Sequence, residues 1–180
     1  MSPASRVNRG PAAAAENRAA ILRAAREVFA HDGPRVPLSL ISTAAGVGPA
    51  VLYRHFADRE SLARALFDED VAELEQLVAQ PGCTLESLLD TIIGQTVECA
   101  GLLSTLQPDS PELAVTHRRM RELIDRKLAD DGHGPFAPGV TADRLMLALA
   151  LVAGLLTKTP HRQRPEVARD GWRLLLEGLS

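Results

Sequence analysis

The chain has 180 residues, 46% hydrophobic and 24% charged with a net charge of −3, a composition typical of a folded globular protein and not of a disordered one. Two cysteines, Cys83 and Cys99, are too few for a disulfide framework, and the longest uncharged apolar run, the 12 residues from Leu145 to Leu156, is too short to cross a bilayer core of about 30 Å. We therefore expect a reduced, soluble, cytoplasmic protein without a secretory leader.

The charge is unevenly distributed along the chain. Residues 1–67 contain nine arginines and five acids, a balance of +4, whereas residues 68–180 have a balance of −7. Such an asymmetry suggests a polyanionic partner for the basic part. A balance of +4 over 67 residues also lies within ordinary scatter, so charge alone leaves nucleic-acid binding open.

The chain begins with an arm and a first amphipathic helix. Residues 1–16 show no apolar rhythm and predict a flexible arm, and Asn17 can cap the helix that follows. Gly33-Pro34 ends this helix, because proline cannot continue the hydrogen-bond ladder. Its apolar positions fall on one stripe: Ile21, Ala24, Ala25, Val28 and Phe29.

Two short helical segments come next, Leu38–Ala45 and Pro49–Phe56, separated by Gly46 at a point where a tight turn requires positive φ. Small and branched apolar residues on both sides, such as Ile41 and Val47, allow the two helices to cross closely. This arrangement predicts a helix-turn-helix whose second helix can enter the major groove of DNA. A glycine-turned hairpin of any helical bundle has the same spacing, so the spacing alone leaves both interpretations open.

The rest of the chain predicts five longer helices and no strand, which makes the expected fold class all-α. The helices begin at capping or first-turn residues: Asp58, Thr84, Ser110-Pro111, Thr141 and Pro165. Pro81-Gly82 and Gly132–Pro135 mark helix ends, and Gly101 is a candidate break.

The amino-acid sequence of the central segment is specific enough to indicate a family. The Ala45-Gly46-Val47 turn, the run Leu52-Tyr53-Arg54-His55-Phe56 and the basic Arg59 before Leu62 resemble the TetR family of bacterial transcriptional repressors, over about residues 17–65. The resemblance implies an N-terminal helix-turn-helix DNA-binding domain over residues 17–62 and a ligand-binding and dimerisation bundle over 63–180. It also implies a regulator that binds an inverted-repeat operator in double-stranded DNA as a homodimer and is released by a small, mostly hydrophobic effector.

Carried onto this chain, the resemblance assigns DNA contacts to nine residues, with Tyr53, His55 and Arg59 at the DNA backbone or groove. The full set is Ser39, Gly48, Pro49, Ala50, Val51, Tyr53, Arg54, His55 and Arg59. The family often has threonine where Val51 stands and a hydroxyl residue near Pro37. With these hydroxyls absent, base recognition would depend on thymine methyl groups, on Tyr53 and on DNA shape. Arg6 and Arg9 can reach a minor groove, or the arm is inert.

The last two helices are suited to dimerisation, because the helix Asp143–Thr157 is apolar nearly all round. The resemblance implies that both helices pair with their twofold mates, whereas an intrachain core explains the same pattern. The predicted interface residues are Leu145, Leu149, Val152, Leu156, Trp172, Leu175 and Leu179.

The middle helices are expected to enclose a mostly apolar effector cavity with a few polar groups. Its predicted lining is Gln95, Thr96, Cys99, Leu103, Met120 and Ile124. The effector would favour a conformer with wrongly spaced recognition helices, with the helix from Asp58 to Ala79 as the hinge implied by the resemblance.

The sequence offers little support for a catalytic or metal-binding function. The histidines are scattered without the i, i+4 spacing of a helical metal pair, and the cysteines form no CxxC motif. We therefore expect no enzymatic activity, cofactor or metal. The alternative function is an all-α small-molecule carrier or adaptor whose helix-turn-helix does not recognise DNA.

Overall fold

The structure is a computed structural model that describes residues 10–33, 35–103, 106, 111–131, 136–137 and 139–178. These residues form eight α-helices and one short 3-10 turn, with no strand among them, so the all-α prediction is confirmed. The helices are α1 (Gly10–Asp32), α2 (Leu38–Ala44), α3 (Pro49–His55), α4 (Arg59–Val78), α5 (Leu85–Leu103), α6 (Pro111–Asp130), α7 (Ala142–Lys158) and α8 (Arg164–Glu177), with the 3-10 turn at His161–Gln163.

The first helix begins earlier than the sequence predicted. α1 starts at Gly10, and Asn17, the expected cap, lies inside it. The alanines from Ala12 to Ala15 have the strongest helix propensity of any residue type, and this outweighs the lack of an apolar stripe. The predicted flexible arm is therefore helical from Gly10 onward, while Arg6 and Arg9 lie outside the described residues.

Capping residues define the starts of the later helices as predicted. The Asp58 carboxylate accepts a hydrogen bond from the Ser61 backbone N–H at 2.7 Å, and the Ser61 hydroxyl accepts one from the Asp58 N–H at 3.2 Å, a reciprocal capping box. The Thr141 hydroxyl accepts from the Arg144 N–H at the start of α7. The expectation of a break at Gly101 is wrong, because this residue is buried within α5, where packing outweighs weak helix propensity.

Two hydrophobic clusters form the core, and α4 contributes to both. Its first half, including Leu62 and Leu66, packs into an N-terminal cluster with α1–α3, whereas Leu74 packs into a C-terminal cluster with α5–α8. Leu102 of α5 joins the N-terminal cluster. Because α4 and α5 take part in both clusters, a displacement of either helix changes the position of the N-terminal helices relative to the C-terminal body.

Candidate DNA-binding surface and effector cavity

The turn between α2 and α3 is a Schellman motif built around Gly46. The Gly46 N–H donates to the Thr43 carbonyl at 3.1 Å and the Val47 N–H donates to the Ser42 carbonyl at 3.0 Å, the two bonds that define this motif. Gly46 has φ +68°, a conformation that L side chains rarely adopt. The next residues, Gly48 with φ −70° and Pro49 at the first helical position, begin α3 in geometry that both favour.

Gly46 and Gly48 provide a matched pair of substitutions. Gly46→Ala is expected to lower the free energy of unfolding by roughly 1 kcal/mol because of its positive φ, although no atom lies within 4 Å of the added Cβ. Gly48→Ala, also without a neighbour within 4 Å and with negative φ, is expected to stay within about 0.5 kcal/mol. Thermal unfolding of both variants measures the difference, and equal effects would contradict the assigned turn.

The predicted recognition helix, α3, packs against the protein through one face and exposes the other. Leu52 is 1% exposed, Phe56 3% and Ile41 of α2 0%, so these side chains anchor the helix in the N-terminal cluster. Tyr53, next to Leu52, is 55% exposed. A large aromatic side chain left in solvent on a helix whose other face is anchored is available to contact a partner.

The nine predicted DNA-contact residues lie at different degrees of exposure. Three are half-buried: Val51, His55 and Arg59. Six are exposed: Ser39, Gly48, Pro49, Ala50, Tyr53 and Arg54. Ser42, three residues after Ser39 on α2, is buried and its hydroxyl donates to the Ser39 carbonyl at 2.9 Å, so it is not part of this surface. Leu40 and Thr43 of α2 are also exposed, and neither was among the predicted contacts.

Arg59 has partners within the protein. Its guanidinium donates to the Val36 carbonyl at 2.5 Å and lies 5.8 Å from the centre of the Phe29 ring. These contacts join the start of α4 to the end of α1 and the segment before α2. Arg59 therefore stabilises the helix-turn-helix itself, and a contact from Arg59 to a DNA phosphate stays a prediction.

A cavity of about 110 Å³ lies between α4, α5, α6 and α7. Its lining is Phe67, Asp70, Val71, Ile92, Gln95, Thr96, Leu103, Leu113, Thr116, His117, Met120, Met146, Leu149, Ala150 and Ala153. Gln95, Thr96, Leu103 and Met120 were predicted to line it. The other two predicted residues do not: the Cys99 thiol turns towards Asp70, and Ile124 is fully buried in the C-terminal cluster.

The polar groups of this cavity are mostly engaged by the protein. The Thr96 hydroxyl donates to the Ile92 carbonyl at 2.7 Å, and the Thr116 hydroxyl donates to the Asp68 carboxylate at 3.1 Å. Burial lowers the pKa of His117, which favours its neutral form. The cavity is therefore suited to a small apolar molecule with few polar groups.

Asp70 and Arg26 form an ion pair beside the cavity that was not predicted from the sequence. The Asp70 side chain on α4 is only 6% exposed, and one of its carboxylate oxygens lies 2.6 Å from the Arg26 guanidinium on α1. The other oxygen accepts from the Cys99 thiol of α5 at 3.3 Å. Burial raises the pKa of Asp70, with Arg26 opposing the shift, and burial raises the pKa of Cys99 above the usual range. No local pattern links residues 44 positions apart, so the sequence carries no signal for this pair.

The predicted dimer residues lie mainly inside the single chain. Leu145, Leu149, Val152, Leu156 and Trp172 are between 0% and 6% exposed, Leu175 is half-buried and Leu179 lies outside the described residues. The four predicted residues on α7 therefore lie on its inner face. The opposite face exposes four leucines, which we call the leucine surface: Leu147, Leu151 and Leu155 of α7, at 62%, 56% and 49%, and Leu174 of α8, at 69%.

The described part of the chain contains no group of three or more histidine, cysteine, aspartate or glutamate side chains arranged to hold a metal ion. Within the same residues, no helix combines the length and apolar character needed to cross a membrane.

The chain thus combines a helix-turn-helix, an element whose second helix enters the major groove in known DNA-binding proteins, with an all-helical body that contains a cavity. Residues 21–66 match the family model described as bacterial regulatory proteins, tetR family. Over these residues the chain is similar to that family.

Solved structures extend the similarity along the chain. The TetR transcriptional regulator SCO0520 from Streptomyces coelicolor is 25% identical, with a TM-score of 0.61 over 90% of this chain and 97% of that chain. The TetR family protein CprB from S. coelicolor A3(2) is 26% identical, with a TM-score of 0.58 over 92% and 89%. A gamma-butyrolactone receptor (ArpA-like protein), 22% identical with a TM-score of 0.56 over 93% and 89%, shares the fold. No match was found among curated protein sequences.

Proposed function

We propose that the protein is a homodimeric DNA-binding repressor that occupies an inverted-repeat operator in the cytoplasm and leaves it when a small apolar effector fills the cavity. It has no enzymatic role. Residues 17–62 form the DNA-binding domain and residues 63–180 the effector and dimerisation domain. The observation that carries the proposal is the exposed outer face of α3, with Tyr53 in solvent while Leu52 and Phe56 anchor the helix.

The exposed face of α3 determines how the operator is recognised. Pro49 and Ala50, both exposed at its start, have no side-chain hydrogen-bonding groups, so they contact bases through apolar atoms. Thymine methyl groups are the apolar feature of the major groove. Tyr53 and Arg54 add a hydroxyl and a cation that bind phosphate. The operator sequence is then selected by the positions of thymines and by DNA shape, not by bidentate hydrogen bonds to base edges.

The leucine surface supplies the dimer interface. Leu147, Leu151 and Leu155 recur every four residues, so they lie along one face of α7. A groove continues this face onto α8, lined by Leu174, Leu175 and others. Contiguous exposed apolar surface of this kind marks an interaction site. Recognition of an inverted repeat requires that a second copy burying this surface place the two recognition helices on one side of the dimer.

Binding to DNA is tested with the full chain and fluorescently labelled genomic fragments that include the region upstream of its own gene. Fluorescence anisotropy is expected to detect a fragment whose affinity falls by at least about 100-fold between roughly 50 and 200 mM salt, because neutralised phosphates release counterions. Unlabelled competitor of unrelated sequence should displace it poorly. A chain that binds no fragment at either salt concentration would contradict the proposal and support a carrier or adaptor.

A further inference from the structure

We propose that the Arg26–Asp70 ion pair is the positioning element through which occupancy of the cavity changes the placement of α1 in the DNA-binding domain. The inference rests on the proposed function and names the residues that link its two sites. Asp70 is where three helices and the cavity meet. Asp70 lines the cavity, and its carboxylate binds Arg26 of α1. The Cys99 thiol of α5 donates to the same carboxylate.

Gln95 connects the cavity directly to Asp70. The Gln95 side chain lines the cavity, and its amide nitrogen lies 3.2 Å from the Asp70 backbone carbonyl and 3.4 Å from the Glu73 carboxylate. An effector that accepts a hydrogen bond from this amide takes it away from the α4 backbone. The turn of α4 that contains Asp70 then loses a contact with α5, and the carboxylate moves relative to Arg26.

Arg26 transmits that movement to the DNA-binding domain. Its neighbours along α1, Leu22, Ala25 and Phe29, are buried in the cluster that also contains Leu52 of the recognition helix. A shift of α1 therefore changes the position of α3. The pair is tight enough to act in this way, because the 2.6 Å contact involves an Asp70 side chain that is only 6% exposed, and an ion pair shielded from water is screened little.

The Arg26 side of the ion pair is open to solvent, which allows the guanidinium to leave Asp70. The Arg26 side chain is 25% exposed and also lies 3.9 Å from Glu69, so the guanidinium can exchange Asp70 for Glu69 or solvent without crossing the core. This gives the contact two arrangements, one paired and one released. Coupling between two sites needs such an element, whose equilibrium both sites bias.

The coupling between effector binding and DNA binding is reciprocal, so DNA can be used as the probe in place of the unidentified effector. Hydrogen–deuterium exchange of the full chain is measured with and without saturating duplex, using the fragment selected by anisotropy. DNA is expected to slow exchange in the α5 segment 92–103 by about fivefold or more, within the usual range of allosteric coupling. In Asp70→Asn, with saturation checked by anisotropy, that slowing should be lost although the duplex is bound.

Glu122→Gln is the matched control, because it removes the same charge from an exposed position of α6 that neither lines the cavity nor contacts the Arg26–Asp70 pair, and it should leave the slowing in place. If Asp70→Asn does not fold, Arg26→Met/Asp70→Leu replaces both charges with apolar groups, a change that buried ion pairs often tolerate, and it should bind DNA without the α5 response. A wild-type chain that binds duplex without an α5 response, or a response that persists in both variants, overturns this inference alone. A wild-type chain that binds no duplex overturns the proposed function with it.

Discussion

Ala50→Glu is expected to abolish specific DNA binding while leaving the fold at least as stable. Ala50 is exposed at the second position of α3, where a carboxylate interacts favourably with the positive end of the helix dipole. Facing phosphates, the same carboxylate repels DNA, and juxtaposed like charges cost several kcal/mol. Since the proposed dimer presents the change twice, fluorescence anisotropy should show a loss of affinity of at least about 100-fold.

The control for this prediction places the same charge elsewhere. Ala114→Glu adds a glutamate at an exposed position of α6, so both variants have the same net charge. Its DNA affinity is expected to stay close to that of the wild type. Circular dichroism melting should give both variants a midpoint within a few degrees of the parent. If Ala50→Glu retained wild-type affinity, α3 would not be the recognition helix.

Leu147→Glu/Leu151→Glu is expected to convert the dimer to a monomer and to weaken operator binding about 100- to 10,000-fold, the usual gain from linking two binding modules. Both leucines are more than half exposed in the single chain, so the variant loses no intrachain core. Burying two carboxylates against an apolar partner surface is strongly unfavourable. Sedimentation velocity measures the mass, and anisotropy with the same duplex measures the affinity.

A variant at another exposed apolar residue separates the interface from general surface effects. Val115 on α6 is 43% exposed, and Val115→Glu should leave both the dimer and its DNA affinity unchanged. The account of the leucine surface would be wrong if the double variant stayed dimeric. Monomers that bound the operator with wild-type affinity would contradict the dependence of DNA binding on pairing.

The local features of the fold were accessible from sequence because short-range interactions produce them. Gly46 predicted the turn between α2 and α3, and Asp58 and Thr141 predicted helix starts that the structure confirms. Asn17 failed as a cap because helix propensity in the alanine run extends α1 to Gly10. Capping preference is a local term, and a longer favourable segment outweighs it.

Features that depend on contacts between distant residues were harder to predict from the sequence. Periodicity showed that α7 is apolar nearly all round, but it could not show which side faces the chain's own core, and the interface prediction fell on the buried side. The cavity was expected on α5, where Gln95 and Thr96 line it, yet the Cys99 thiol turns towards Asp70. Arg26 and Asp70 are brought together only by the crossing of α1 and α4, which no pattern within either helix specifies.

The most direct test of the central claim is a hydroxyl-radical footprint of the full chain on the DNA fragment that it selects. The account predicts two protected half-sites related by a twofold axis, with centres one helical turn of about 10–10.5 base pairs, or a multiple of it, apart, and no such protection with Ala50→Glu at the same concentration. Uniform protection without symmetry, a single half-site at saturation, or the same footprint with Ala50→Glu would contradict it.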